Sequence, residues 1–302
     1  MNKSLKICLI LAICAILSGI IIFGVVMSAL GWDFTKLSTV EFETNEYEVS
    51  EKFNNITVTV DTADIVFAVS NDEKCRVVCY EETKMLHTVS VESNTLTINV
   101  VNEKSWYDYI GFNFSSPKII VYLPNTEYNS LVVNGDTGNV EIPKDFKFNN
   151  MDISIHTGDV NCYASVSESA KIAATTGNIH ADGISATSLD LSVSTGDTIL
   201  SNIKCQNLTS TGSTGDISLK NVIATEKISV KRSTGDVKFD RSDAGEIIIE
   251  TNTGNVTGTL LSEKVFITKT NTGKINVPKT TSGGKCEITT STGNIKISIE
   301  NN

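Results

Sequence analysis

The chain has 302 residues, with 25 Lys and Arg against 35 Asp and Glu, and a formal net charge of −10 at pH 7. A surface this acidic repels the phosphates of nucleic acids and of anionic lipids, which argues against both as partners. Aromatic residues make up 7% of the chain, and there are four prolines against 20 glycines. This composition is typical of many short strands joined by tight turns.

The first element in chain order is an apolar run over residues 5–30, whose single charge, Lys6, lies at its leading edge. It is long enough for the roughly 20 residues that cross a bilayer. Lys3 and Lys6 precede it, so the positive-inside rule places the N-terminus inside the cell and residues 31–302 outside. We therefore predict a transmembrane anchor over residues 1–30 of a single-pass cell-membrane protein. A signal peptide cleaved before Ala29 is the alternative.

Two segments separate this anchor from a series of repeats. Residues 31–50 are acidic and predict a stalk off the membrane, and residues 51–130 predict a β-rich N-terminal cap. The cap includes "ITVTVDTADIVF", in which Ala63 takes the place of a glycine that recurs further along the chain. Terminal repeats are commonly atypical, so this stretch predicts a degenerate first coil.

The strongest signal is a Thr-Gly pair followed by a polar residue, which recurs nine times at intervals of 19 or 20 residues. The next residue is Asp or Asn in eight copies, and Lys274 is the exception. A period this regular indicates a repeat architecture. The repeat glycines are Gly138, Gly158, Gly177, Gly196, Gly215, Gly235, Gly254, Gly273 and Gly293.

Apolar residues recur five and seven positions before each glycine, and two and four positions after it, with polar residues between them. This alternation predicts two short strands around each turn. Stacked copies would bury one continuous apolar column. The fold class predicted is all-β, a single parallel β-solenoid (β-helix-like) of 19–20-residue coils, with nine regular repeats over residues 131–302. A chain of antiparallel hairpins is the competing architecture, because Gly-Asn and Gly-Asp suit type II′ turns.

The nine glycines are interpreted as structural turn positions, since glycine reaches backbone angles barred to other residues. Asp and Asn exchange freely after them, which suits a turn better than a metal site. A weak cation between Asp197, Asp216 and Asp236 is left as a minor hypothesis.

The cysteines and histidines do not form a recognisable site. Five cysteines lie outside the membrane, an odd number without regular spacing, and the chain has no C-x-x-C pair, so neither a disulfide framework nor zinc is expected. Lys231 and Arg232 near Asp236 and Asp240 are the nearest approach to the machinery of a polysaccharide lyase. They are interpreted as ordinary surface charges. We therefore predict no catalytic residues, no cofactor and no enzyme activity.

The signature Thr-Gly-[Asp/Asn]-[Ile/Val] every 19–20 residues, together with "VYLPNTEYNSLVVNGDTGNVEI" over residues 121–142, resembles the bacterial "putative adhesin" family of β-solenoid domains. The resemblance covers about residues 50–300 and implies the same fold in an exported or membrane-anchored protein. It supplies no catalytic residues.

The function predicted first is a non-enzymatic, membrane-anchored extracellular scaffold. Its flat outward columns would meet cell-envelope polymer or a membrane protein. An accessory role in envelope-stress sensing or signalling is the alternative, and a polysaccharide-active enzyme is a third. The sequence ends on "IKISIENN" without a further strand, so we also expect an open edge at the C-terminal coil and end-to-end self-association there.

Overall fold

An apolar helix opens the chain, and most of the remaining residues form β-structure. The computed structural model describes residues 3–110, 113 and 115–300, so the first two residues of the predicted anchor and the last two of the predicted solenoid lie outside the described part. Helix α1 spans Lys3–Ala29 and is, within those residues, the one helix long and apolar enough to cross a bilayer. Its large apolar side chains are mostly exposed, so the rest of the described chain does not bury them.

Seven strands and two short 3-10 helices precede the first regular coil. The strands are β1 (Phe42–Val49), β2 (Asn55–Thr62), β3 (Asp64–Val69), β4 (Cys75–Glu82), β5 (Met85–Glu92), β6 (Thr95–Asn102) and β7 (Lys118–Leu123). The 3-10 helices are Phe34–Leu37 and Trp106–Tyr109.

The predicted stalk over residues 31–50 is wrong for its second half. Strand β1 pairs antiparallel with β4, with Phe42 opposite Glu82 and Val49 opposite Cys75. Tyr47 and Val49 pack against the apolar core and alternate with exposed glutamates, so the acidic segment has an inward face. Period-two alternation is enough to make it a strand despite its charge.

The repeats then form pairs of strands, a long first arm before each Thr-Gly turn and a short second arm after it. The pairs in chain order are β8 (Glu127–Thr137) and β9 (Val140–Ile142), β10 (Lys147–Thr157) and β11 (Val160–Cys162), β12 (Ser165–Thr176) and β13 (Ile179–Asp182), β14 (Ser185–Thr195) and β15 (Thr198–Ser201), and β16 (Lys204–Thr214) and β17 (Ile217–Lys220). They continue as β18 (Ile223–Thr234), β19 (Val237–Thr253), β20 (Val256–Leu260), β21 (Lys264–Thr272), β22 (Ile275–Asn276), β23 (Gly284–Thr292) and β24 (Ile295–Ile299). Strand β19 is long because it serves as the second arm of one coil and the first arm of the next.

Neighbouring coils pair in parallel, position for position. Ile153 lies opposite Val133 of the coil before it and opposite Ile172 of the coil after it. The same one-repeat offset relates the second arms, as between Val160 and Ile179. The predicted parallel β-solenoid is confirmed, and the hairpin alternative is wrong.

The core consists of the columns that the repeat predicts. The side chains five positions before the glycines are buried in every regular coil except that of Gly273, where Thr268 is half-buried. Phe146, Val166, Ile184, Ile203 and Val222 fill the corner that follows the second arm. The coils share one apolar cluster that runs from Ile56 to Ile297, so each coil is stable only against its neighbours.

At the turns, glycine is required by close contact as well as by its backbone angle. The repeat glycines have φ values from +125° at Gly215 to +158° at Gly254. A Cβ atom built on any of them would lie 1.9–2.0 Å from the carbonyl oxygen of the equivalent turn residue in the neighbouring coil. The neighbour of Gly138 is Ala63, whose coil is the degenerate one. Strands β2 and β3 of that coil pair with β8 and β9 in the register of the regular repeats.

The last two coils are stacked in the reverse of their chain order. Strand β23 pairs with β19 on one side and with β21 on the other, and β24 lies in the same way between β20 and β22. The coil of Gly293 is therefore interior, and the coil of Gly273 ends the stack. We call this terminal coil, residues 261–283, the tip.

This order corrects the expectation of an open edge at "IKISIENN". Strand β22 is only two residues long, so this coil offers a short ladder to any further coil and suits the end of the stack. The five-residue β24 pairs along its whole length with β20 and suits an interior position.

The residue after each glycine forms a second ladder beside the backbone one, the Asx ladder. The side-chain Oδ1 of each Asp or Asn accepts a hydrogen bond from the backbone N–H of the equivalent residue in the next coil. Asn178 accepts in this way from Asp197 at 2.8 Å, and Asn294 accepts from Lys274 at 2.9 Å. Lys274 lies in the tip, where the described residues include no further coil that needs an acceptor. The one exception in the repeat thus coincides with the end of the stack.

We predict that Asn178→Ala and Asn294→Ala each lower the free energy of unfolding by about 1 kcal/mol, because each leaves a backbone N–H without its acceptor. Lys274→Ala is the matched control and should change it by less than about 0.5 kcal/mol. Urea unfolding of the full chain in mild detergent, followed by circular dichroism, measures all three. If Asn294→Ala were as neutral as the control, the reversed order of the last two coils would be wrong.

The five cysteines outside α1 are free and buried. Burial raises the pKa of the Cys75, Cys79, Cys162 and Cys286 thiols to about 12, and that of Cys205 to about 11. Thiolate is the reactive form of cysteine, and at neutral pH these groups are almost entirely thiols.

We therefore expect the folded chain to resist a bulky, membrane-impermeant maleimide at pH 7.5 at all five positions. Unfolding in denaturant should make all five react, as counted by mass spectrometry. A Cys75→Ser, Cys79→Ser variant should show two fewer additions after unfolding than the unsubstituted chain, in which Cys8 and Cys14 of α1 also react. Fast labelling of the native chain outside α1 would show that the corresponding column is open to water.

Candidate functional site

The outward side of the first arms is exposed to solvent along the solenoid. The column two positions before the repeat glycines is exposed throughout the regular coils, and we call it the polar face. It comprises Asp136, His156, Thr175, Ser194, Ser213, Ser233, Asn252, Asn271 and Ser291. Neighbouring strands of a sheet are about 4.8 Å apart, so the face presents one polar side chain per strand spacing along the axis.

Charges flank the polar face in compensated pairs. Lys171 lies 3.5 Å from Asp152, and Lys231 lies 3.1 Å from Glu250, each pair joining adjacent coils. These pairs are exposed to solvent and contribute little to stability. The face can therefore donate and accept hydrogen bonds in a regular row without a strong charge of either sign, which suits a polar, extended binding partner.

The residues closest to a lyase arrangement are divided between the inside and the outside of the solenoid. Arg232 is buried in the core, where its Nη2 donates to Thr198 Oγ1 at 2.8 Å and to Ser210 Oγ at 3.1 Å. Lys231 precedes it on the same strand and points outward. Burial lowers the pKa of the Arg232 guanidinium. The interpretation of Arg232 as a surface charge is wrong, and no substrate on the surface can reach it as a base.

Arg232 explains three other departures from the apolar columns. Thr198 and Ser210 stand where the other coils have Val, Ile or Leu, apart from Thr268 in the tip, and both bind its guanidinium. Gly212 has no side chain, and Arg232 Nη1 lies 1.7 Å from where its Cβ would be. The four residues form one internal polar cluster in three consecutive coils. Thr198 and Ser210 give the buried guanidinium two hydrogen-bond acceptors, which offsets part of the cost of burying a charge, while its Nε has no partner among the described residues.

His87 lies in a second buried polar group, in the cap. Its Nδ1 lies 2.6 Å from Glu81 Oε2, and the same oxygen accepts the His87 backbone N–H at 2.7 Å. Asn45 Nδ2 donates to the other carboxylate oxygen at 2.8 Å. Cys79 completes the one group of three metal-ligating side chains among the described residues, whose ligand atoms lie within 4.8 Å of one another.

The geometry of this group favours a structural role. The Glu81 carboxylate is already hydrogen-bonded at both oxygens, and a structural zinc site takes four ligands. The bonds join β1, β4 and β5, so they hold the cap strands together. Neither His156, exposed on the polar face, nor the half-buried His180 lies in this group.

The carboxylates considered for a weak cation are engaged in the Asx ladder. Asp197 Oδ1 accepts from Asp216 N–H, and Asp216 Oδ1 accepts from Asp236 N–H, at 2.8 Å and 2.7 Å. They do not appear among the metal-ligating groups of the described residues. Their arrangement is accounted for by the turns.

One exposed feature, an aromatic segment of the cap, is not among the predictions from the sequence. Residues 105–110, "SWYDYI", carry Trp106, Tyr107, Tyr109 and Ile110, all more than half exposed. The signal was present as a local run of aromatic residues in a chain with few of them. It lies between β6 and β7, in the segment that interrupts the repeat, so it has no equivalent positions in the other coils with which it could be compared.

Comparison with known proteins gives a family for the chain. No curated protein matches it. A "putative adhesin" from Bacteroides fragilis is 19% identical, with a TM-score of 0.48, over 85% of this chain and 97% of that one. A "putative lipid binding protein" from Parabacteroides distasonis is 17% identical, with a TM-score of 0.47, over 86% and 98%. A "putative adhesin" from the same species is 12% identical, with a TM-score of 0.41, over 85% and 98%.

The family model described as Toastrack DUF4097 matches residues 53–298. This span runs from just before the degenerate coil to the last strand, β24, and the expected resemblance to the adhesin family is confirmed. The chain belongs to the Toastrack DUF4097 family.

Proposed function

We propose that this protein is a membrane-anchored extracellular scaffold without enzymatic activity, whose polar face binds an extended polymer of the cell envelope. The observation that carries the proposal is the uninterrupted polar face, which repeats the same kind of side chain along the stack. A repeating row of hydrogen-bonding groups matches a repeating ligand better than a small molecule. Fold alone does not name a function, so the proposal rests on this surface.

The anchor is helix α1. Its apolar side chains are mostly exposed in the described chain, and exposed apolar surface of this length requires lipid around it. Lys3 and Lys6 at its start favour an N-terminus inside the cell and a solenoid outside it. The cap strands then lie on the membrane side of the stack, and the tip lies at the far end.

The proposal of a non-enzymatic role is supported by how the titratable residues are used. Arg232 and the His87–Glu81 pair are enclosed, and the Asp residues after the turn glycines hold backbone N–H groups. A catalytic acid or base must reach the proton it transfers. Arg232 and the His87–Glu81 pair cannot do so from inside the solenoid, and the Asp carboxylates are engaged in the Asx ladder.

We predict that Ser194→Glu combined with Ser213→Glu lowers binding to isolated cell walls about tenfold, which corresponds to about 1.4 kcal/mol. The two bulky, hydrated carboxylates would block close approach of a polymer chain. The assay is co-sedimentation of the full chain, in mild detergent, with the wall material. Asn161→Glu combined with Ser218→Glu, on the outward side of the second arms, is the matched control. Equal retention of both variants would contradict the role of the polar face.

We also propose that the tip is a surface for end-to-end self-association. Strands β21 and β22 have no partner on their outer edge among the described strands. Val265, Ile267 and Ile275 are exposed there at 39%, 52% and 45%. Open edges of this kind pair with other chains.

The charge of the tip sets how such association should depend on salt. Lys269, Lys274 and Lys279 are exposed, and none has an ion pair within the described residues. Two tips in contact would repel each other through these lysines.

We therefore expect the self-association of the full chain in detergent to strengthen between about 0.05 M and about 0.5 M salt, as the repulsion is screened. Sedimentation velocity measures it. Ile267→Lys should abolish the association at both concentrations, and Ile199→Lys, far from the tip, is the control. Association that weakens with salt, or that survives Ile267→Lys, would contradict contact through the tip.

A further inference from the structure

The exposed aromatic segment of the cap, Trp106–Ile110, is unusual for this chain. Trp106 is 77% exposed, Tyr107 56%, Tyr109 60% and Ile110 72%. Beyond residue 34, Ile267 in the tip is the one other large apolar side chain in the described residues that is more than half exposed. Four such side chains within five residues form a patch, and patches of this kind mark interaction sites.

The segment is held in place by contacts to the cap. Asp108 Oδ2 accepts the Ser105 backbone N–H at 2.9 Å, and its Oδ1 binds Lys84 Nζ at 2.5 Å. Asn102 Nδ2 donates to the Tyr109 hydroxyl at 2.9 Å. Lys104, just before the segment, is paired with Glu82. The Asp108 carboxylate and the Tyr109 hydroxyl therefore face the cap. Lys84 Nζ lies 5.8 Å from the centre of the Tyr107 ring and Lys104 Nζ lies 5.3 Å from that of Tyr109, and both rings are still more than half exposed.

The position of the segment relates it to the membrane. Thr83 and Lys84 form the turn between β4 and β5, and the Thr83 N–H donates to Glu41 O at 3.1 Å. Glu41 is where the chain enters the cap, and it is joined to α1 through residues 30–40. Lys84 also binds the aromatic segment through Asp108 and accepts the Glu103 N–H at 2.9 Å. The segment thus lies at the corner of the cap that is tethered to α1.

The tether is short enough to keep that corner near a bilayer. Eleven residues span at most about 40 Å when fully extended, and Phe34–Leu37 is coiled into a 3-10 helix, which shortens it. The solenoid would extend away from the corner, and the segment would remain beside the lipid surface.

The chemistry of the segment fits that surface. Trp and Tyr have an apolar ring with a polar atom at one end and concentrate at the interface between lipid and water. The chain as a whole is acidic, so attraction to anionic headgroups does not account for contact at this place. Ring insertion between headgroups does not depend on lipid charge.

We propose that Trp106, Tyr107, Tyr109 and Ile110 insert into the headgroup region of the bilayer that holds α1, as a second point of contact that fixes the orientation of the solenoid. The inference rests on the proposed membrane anchor. With one contact the solenoid would swivel about residues 30–40. With two contacts the polar face keeps a defined angle to the membrane.

The two tryptophans of the chain permit a direct test. Trp32→Phe leaves Trp106 as the single tryptophan, and Trp106→Phe leaves Trp32, which follows α1 closely. Each full-length variant is reconstituted into phosphatidylcholine vesicles with and without brominated acyl chains. In the Trp32→Phe protein, we expect bromine to quench Trp106 and its emission to be blue-shifted. Tyr107→Ser combined with Ile110→Ser in the same background should reduce both effects while far-UV circular dichroism stays unchanged.

The other variant separates the two proposals. Quenching of Trp32 in the Trp106→Phe protein reports insertion of α1. If Trp32 is quenched and Trp106 is not, the anchor stands and the second contact is overturned. If neither is quenched, the anchor itself fails. A blue shift of Trp106 without quenching would show that another copy of the protein covers the segment, which also overturns contact with lipid.

The role of ring insertion rather than charge is tested in the same system. Quenching of Trp106 should be equal at low and high salt, and equal in phosphatidylcholine vesicles with and without anionic lipid. Quenching that requires anionic lipid and is lost at high salt would show that Lys84 and Lys104 bind headgroups instead, and would contradict the proposal.

Discussion

The solenoid depends on the contact between one turn and the next. Each repeat glycine places its backbone so close to the carbonyl of its neighbour that a single Cβ would overlap that oxygen. The same approach lets the following Asp or Asn reach the backbone N–H of the next coil. Parallel strand pairing could tolerate many turn shapes, but this contact tolerates one. Because every coil meets the same constraint, the turn sequence repeats while the outward residues vary.

This constraint also determines how much of the fold the sequence predicts. The spacing of the glycines and the apolar columns on both sides of them predict the fold class, because the same contact requires them in every coil. The period of the repeat does not predict the order in which the coils stack, since a coil that fits one neighbour fits most others. One residue does indicate the end of the stack: Lys274 cannot act as an acceptor in the Asx ladder, and it lies in the tip.

The candidate site divides in the same way. The polar face is predicted because alternation fixes which residues point outward. The burial of Arg232 is not, because its column is the one three positions before the glycine, where residues range from Gly to Ile. It becomes clear only when Thr198, Ser210 and Gly212 are seen to surround one guanidinium. The charged strand β1 is predicted as a stalk because its net charge conceals the alternation of Tyr47 and Val49 with glutamate.

The reversed order of the last two coils has a consequence for how the molecule assembles. In a solenoid that stacks in chain order, each coil can pair with the preceding coil as soon as it is available, without waiting for a later segment of the chain. Here β21 and β22, which carry Phe266 and Ile275, are synthesised before β23 and β24. They cannot take their places in the stack until β23 and β24, which carry Ile288 and Ile295, have paired with β19 and β20. The final step is therefore the docking of the tip, which is synthesised before the coil of Gly293, onto that coil.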